Sequence, residues 1–241
     1  MKGDLFMSKV LILDPSDPVA ISFWLISMAM VAATAFFFLE RDRVSAKWKT
    51  SLTIAGLVTG VAAVHYFYMR GVWVAGEGSP TVLRYIDWLI TVPLQIIEFY
   101  VILAAVTAVA VGLFWRLLTA SLIMLIFGYM GETGAMGAAL AFVIGMAAWL
   151  YIVYEVFAGE ASKVNTESGN DASQTAFSAL RIIVTVGWAI YPLGYAVVFI
   201  GGLDAASIEG SMNLIYNLAD FVNKIAFGMA IYVAAISDSK Q

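Results

Sequence analysis

Residues 214–232 read LIYNLADFVNKIAFGMAIY, from Leu214 to Tyr232, with Asp220 and Lys224 near the middle. The stretch is apolar and long enough to cross a bilayer core, which takes about 20 residues of helix. Four positions separate Asp220 from Lys224, so the two share a helix face about one turn apart. Each ionisable group at that depth costs roughly 2.5–3.5 kcal/mol on insertion scales, which points to function rather than packing. A lysine held among apolar groups also titrates readily, and this suits it to Schiff-base chemistry. The rest of the chain has to say what that lysine serves.

Composition settles the class. Of 241 residues, 62% are hydrophobic and only 12% are charged, where a soluble domain carries about 25% charged residues. The chain is an all-α integral membrane protein. A net charge of −4 lacks the basic patch that nucleic-acid binding requires. Without cysteine there is no disulfide, thiolate metal site or thiol catalysis, and a single histidine argues against a transition-metal centre. No nucleophile–base arrangement suggests an enzyme. The first 18 residues hold too short an apolar patch for a typical signal sequence, so either a leader has been removed or the first span directs insertion.

Seven segments are long and apolar enough to span, at about 18–39, 48–69, 80–105, 113–130, 134–157, 174–200 and 212–236. They form one domain, a seven-transmembrane-helix bundle over residues 1–241, with 1–17 as an outer segment and 237–241 as an inner tail. If the N-terminus lies outside, the inner side collects Arg41, Arg43, Lys47, Lys49, Arg116, Lys163, Arg181 and Lys240. The outer side collects Lys2, Lys9 and Arg70, while Arg84 and Lys224 lie within spans. Eight against three predicts N-terminus out and C-terminus cytoplasmic. The polar stretch 159–173, GEASKVNTESGNDAS, reads as a solvated, mobile connection. Gly56 and Gly60, four apart on the second span, allow close helix approach.

The third span carries the telling spacing. Arg84 and Asp87 are three apart and so neighbours on one face, while Glu98 follows Asp87 by eleven residues, about 16 Å along the axis and on nearly the same face. Asp87 then falls outward of the membrane centre and Glu98 inward, as an acceptor and a donor of a proton relay around Lys224 would. His65, late in the antiparallel second span, comes level with Asp87 and can hydrogen-bond it. Glu132 reads as a snorkelled or capping residue and Glu155 as interfacial. Trp88, Trp149 and Trp188 lie within spans rather than in interfacial belts, and Tyr191-Pro192 bends the sixth span. Aromatics around a buried lysine suggest a slot for a long, flat, apolar ligand.

The pattern Arg84-Tyr-Ile-Asp87-Trp88, Thr91 and Pro93, then Trp188, Tyr191 and Pro192, then Asp220 and Lys224, resembles the microbial rhodopsins over all seven spans. Within them it is most similar to the proteorhodopsin group, in 85–93, 127–132 and 213–224. The resemblance implies all-trans retinal bound to Lys224 as a protonated Schiff base. It implies Asp87 as counterion and proton acceptor, Asp220 as second counterion, Arg84 as their electrostatic partner, Glu98 as donor, and His65 as a hydrogen-bond partner of the acceptor. Trp88, Met124, Trp149, Trp188 and Tyr191 match the walls of the retinal pocket. The triplet Asp87, Thr91 and Glu98 is similar to the signature of light-driven outward proton pumps. Gln95 matches the blue-absorbing type, where green-absorbing members carry Leu. Trp24 matches a residue that approaches the histidine of a neighbouring protomer, so a pentamer or hexamer with Trp24 and His65 near the interface is implied, in a bacterial inner membrane. The same fold also serves sensory photoreceptors, and a lysine-centred ion-coupled transporter without a chromophore is the alternative outside the family.

Overall fold

The computed structural model describes residues 12–202 and 204–240. Of the sequence-stretch 1–17, residues 1–11, with Lys2 and Lys9, lie outside the described residues, as does Gln241. Seven helical segments among the described residues are long and apolar enough to cross a membrane. The first span is α1 (Pro18–Glu40), the second α2 (Lys49–Val74), the third α3 (Thr81–Ala104), the fourth α4 (Val111–Glu132) and the fifth α5 (Ala138–Phe157). A short α6 (Glu160–Glu167) leads into the sixth span, which is built of α7 (Asp171–Ile182), a π turn at Ile183–Gly187, α8 (Ile190–Tyr195) and a second π turn at Ala196–Ile200. The seventh span is α9 (Ala205–Asp238).

Local chemistry fixes the ends. Asp17 caps α1, its carboxylate accepting from Ala20 N at 2.9 Å, and Pro18 follows in the first turn, where its missing N–H costs nothing. The same carboxylate accepts from Trp73 Nε1 at 3.0 Å, tying the start of α1 to the end of α2. Consecutive helices pack side by side, α1 on α2, α2 on α3, α3 on α4 and α4 on α5, and α9 closes the ring against α1, α2 and α7. Gly56 serves the α1–α2 seam, since a Cβ there would stand 2.9 Å from the Phe38 ring.

Three expectations need correction. The stretch 159–173 is not a bare connection: it contains α6, whose Ala161 and Asn165 are buried. Glu160 sits in its first turn, where a carboxylate opposes the positive helix end, and pairs with Arg116 of α4. Glu155 is buried rather than interfacial, accepting from Tyr151 Oη at 2.8 Å, from Arg116 Nε at 3.3 Å and from Glu160 N at 3.0 Å. The seventh helix begins several residues before 212, because its first turns lie in a polar stretch that an apolar window does not capture.

Candidate functional site

The site grows from one face of α3. Arg84, Asp87, Thr91, Gln95 and Glu98 are all buried there, in the three-to-four-residue rhythm that keeps side chains on one stripe. Facing it on α9 are Asn213, Asn217, Asp220 and Lys224, buried in the same rhythm. The two stripes meet at the lysine.

Lys224 Nζ donates to Asp87 Oδ2 and, at 3.0 Å, to Asp220 Oδ2. Asp87 is fully buried, and Asp220 and Lys224 nearly so. Asp220 is held from two further sides: Tyr191 Oη donates to Oδ1 at 2.5 Å and Trp88 Nε1 to Oδ2 at 3.3 Å. Thr91 gives its hydroxyl to the Asp87 main-chain oxygen at 3.0 Å, one turn back on its own helix. Such a cluster contributes little net stability, because desolvating the charges offsets their attraction. It is built for chemistry.

Arg84 lies one turn toward the Asp17 end of the bundle. Its Nη2 donates to Asn213 Oδ1 at 2.8 Å and to Asn217 Oδ1 at 3.4 Å, and no direct bond joins it to Asp87 or Asp220. Its guanidinium instead stands 5.3 Å from the Tyr216 ring centre. Its charge therefore reaches the carboxylates through space and not through contact. Asn213 and Asn217 were legible at positions i, i+4, i+7 and i+11 with Asp220 and Lys224, but uncharged amides give a weaker signal than the ions beside them.

Glu98 stands apart, fully buried three turns along α3, where the buried Ser51 hydroxyl of α2 faces it. The expected bond from His65 to Asp87 does not form: His65 Nδ1 pairs with Val61 O at 2.9 Å, the carbonyl one turn back on α2. Trp24 is half-buried, its ring 5.9 Å from that of Phe67.

Against Lys224 opens a cavity walled by aromatic and aliphatic side chains. Trp88, Gln95, Met124, Trp149, Trp188 and Tyr191 line it, and Thr91 does not. Sequence reasoning missed Asn223, Tyr85, Phe142, Met146, Tyr195 and Tyr216 among its walls, because apolar and aromatic residues abound throughout these spans. Glu132 is another of the walls: it is neither snorkelled nor a cap, but accepts from Tyr85 Oη at 2.8 Å. One amine, flanked by two carboxylates at the side of an aromatic slot, fits a long apolar aldehyde held as a Schiff base, and so fits retinal. Among the described residues no group of His, Cys, Asp and Glu could hold a metal ion.

Comparison with known proteins agrees with this geometry. The profile of the family described as bacteriorhodopsin-like protein matches residues 17–237. The chain is 58% identical over 228 residues to a green-light absorbing proteorhodopsin of Gamma-proteobacterium EBAC31A08, covering 94% of this chain and 90% of that one. It is 55% identical over 227 residues to a blue-light absorbing proteorhodopsin of Gamma-proteobacterium Hot 75m4, again covering 94% and 90%. The crystal structure of a blue light-absorbing proteorhodopsin from Med12 superposes with a TM-score of 0.78 at 56% identity, covering 92% of this chain and all of that one. With the family profile spanning every helix and the relatives matched nearly end to end, this chain belongs to the bacteriorhodopsin-like family of microbial rhodopsins, in its proteorhodopsin group.

Proposed function

We propose that this protein is a light-driven outward proton pump of the bacterial inner membrane that holds all-trans retinal on Lys224. One observation carries the reading: the buried amine touches two carboxylates beside an aromatic cavity, while a third carboxyl, Glu98, is buried three turns away on the helix of the first. Lys224 Nζ would hold retinal as a protonated Schiff base beside Asp87 and Asp220, and the bound group would supply the absorption of visible light and a light-driven change of shape. Asp87 then takes the proton held at Lys224 Nζ, since neutralising opposite charges is favoured where the effective dielectric is low. Asp220 keeps its own charge through the bonds from Tyr191 and Trp88. Glu98 returns a proton to the lysine nitrogen from the other side. Arg84, held on Asn213 and Asn217, keeps a positive charge on the exit side of Asp87.

Direction rests on topology. The excess of Lys and Arg on the Asp238 end supports placing that end in the cytoplasm and the Asp17 end outside. Gln95, buried against the cavity, supports the blue-absorbing type, because a polar group along the polyene favours the ground-state charge distribution and widens the excitation gap. Replacing Gln95→Leu should move the absorption maximum to longer wavelength, and an unmoved maximum contradicts the assignment. The match of Trp24 to a residue that in related proteins approaches the histidine of a neighbouring protomer supports a pentamer or hexamer in which Trp24 and His65 lie near the interface. The pump is tested by light-induced acidification of a cell suspension supplied with retinal. A sensory photoreceptor would show the visible band without acidification, and a transporter without chromophore would show neither.

A further inference from the structure

The sixth span leaves α geometry at Ile183–Gly187. There Trp188 N donates to Ile183 O at 3.1 Å, five residues back instead of four. A π turn upsets the regular donor sequence of a helix, and Pro192, shortly after, has no N–H to give. Buried carbonyls left without a donor are costly, so other groups have to serve them. Two side chains from neighbouring helices do. Trp149 of α5 donates Nε1 to Val184 O at 3.0 Å, and Asn223 of α9 donates Nδ2 to Gly187 O at 3.1 Å.

Both donors line the cavity, and Asn223 is the residue next to Lys224 in the chain. Gly187 is what admits the amide, because a Cβ at that position would collide with the Asn223 side chain. Immediately after the π turn comes Trp188, which lines the cavity, and then Tyr191, which lines it and holds Asp220. Asn223 Nδ2 also lies 3.5 Å from the Tyr191 hydroxyl. The wall against the lysine is thus fixed by a backbone irregularity, and that irregularity is fixed by two polar side chains of the wall itself.

We propose that Asn223 and Trp149 are positioning residues that pin the π turn of the sixth span, and through it set where Trp188 and Tyr191 stand against the cavity and Asp220. The spectral part of this inference rests on the cavity's holding retinal; the backbone part does not. If the segment relaxed by one residue of register, every later side chain would turn by about 100° around the helix, enough to carry Trp188 and Tyr191 off the cavity wall.

The test is hydrogen–deuterium exchange of the full-length protein, with and without retinal, for Asn223→Ala, Trp149→Phe, Gly187→Ala and the Gly187→Ala/Asn223→Ala pair. Asn223→Ala and Trp149→Phe should each speed exchange in 183–195 severalfold while α2 exchanges as in the wild type, and each should shift the visible band. Gly187→Ala should reproduce Asn223→Ala by displacing the amide. The double variant should be no worse than Asn223→Ala alone, since the three atoms nearest the methyl, all of the Asn223 amide, are then gone. Wild-type exchange in 183–195 in both Asn223→Ala and Trp149→Phe, or effects of Gly187→Ala and Asn223→Ala that simply add, would overturn the proposal. Exchange in the retinal-free protein reads the π turn even if no visible band ever forms, so failure of the retinal reading is told apart from failure of this one.

Discussion

In the proposed pump, Lys224 is the residue on which the chemistry turns, and its partners take separable roles. Asp87 shares the amine with Asp220, but only Asp220 has bonds from two other side chains, Tyr191 and Trp88. The less encumbered carboxylate is the better acceptor. Asp87→Asn should therefore still bind retinal, with a displaced band, and lose light-driven transport; transport at the wild-type rate from a pigmented Asp87→Asn protein contradicts the assignment. Glu98→Gln should leave the dark band in place and slow reprotonation of the lysine nitrogen, read as a longer-lived blue-shifted species in flash photolysis. At this scale much of the site was legible in the sequence, because charged residues within apolar spans declare themselves. The pairing of Arg84 with Asn213 and Asn217, and of His65 with its own backbone, was not. Spacing along a helix places a side chain on a face but does not choose among the acceptors within its reach.

At the scale of elements, spans two to five match the apolar windows, with ends shifted by a few residues. Hydropathy reports burial in lipid and is blind to how the backbone is bonded. That blindness explains two of the misses. The helix α6 is polar on most of its surface and joins the bundle through Ala161, Val164, Asn165 and Glu160, and through bonds from Gln174 Nε2 to the main-chain oxygens of Asn165 and Thr166. The sixth span reads as one bent helix at Pro192, whereas the structure puts π turns on either side of that proline. The α1–α2 seam offers a direct check of packing. A larger residue at Gly56 has to displace the Phe38 ring, so Gly56→Leu should lower stability by about 1–3 kcal/mol, measured as a fall in the thermal midpoint of bleaching. An unchanged midpoint would mean that the two helices are not in close contact there.

For the whole molecule, apolar side chains cover the outside as well as fill the core, and the charges within the spans face inward. Leu25, Val31, Leu57, Val143, Leu150, Val186 and Leu218 point outward, while Asp87, Glu98, Asp220, Arg84 and Lys224 point inward. Lipid solvates the first set and the bundle shelters the second. The arrangement also fixes the sign of the pH dependence. Asp87 accepts a proton only as a carboxylate, so transport should be present above its folded-state pKa and disappear as pH falls through it. The visible band should move over the same pH range, because the charge beside Lys224 is being lost. A band shift and a loss of transport at well-separated pH values would mean that another group governs pumping.

Light is proposed to drive protons outward through Lys224, Asp87 and Glu98. This is tested most directly by recording the pH of an unbuffered suspension of cells that make the protein, supplied with all-trans retinal and illuminated within the visible band. The account predicts acidification of the medium on illumination, reversed in the dark and abolished by a protonophore. A retinal-loaded protein with its visible band intact that left the pH unchanged under light would contradict it.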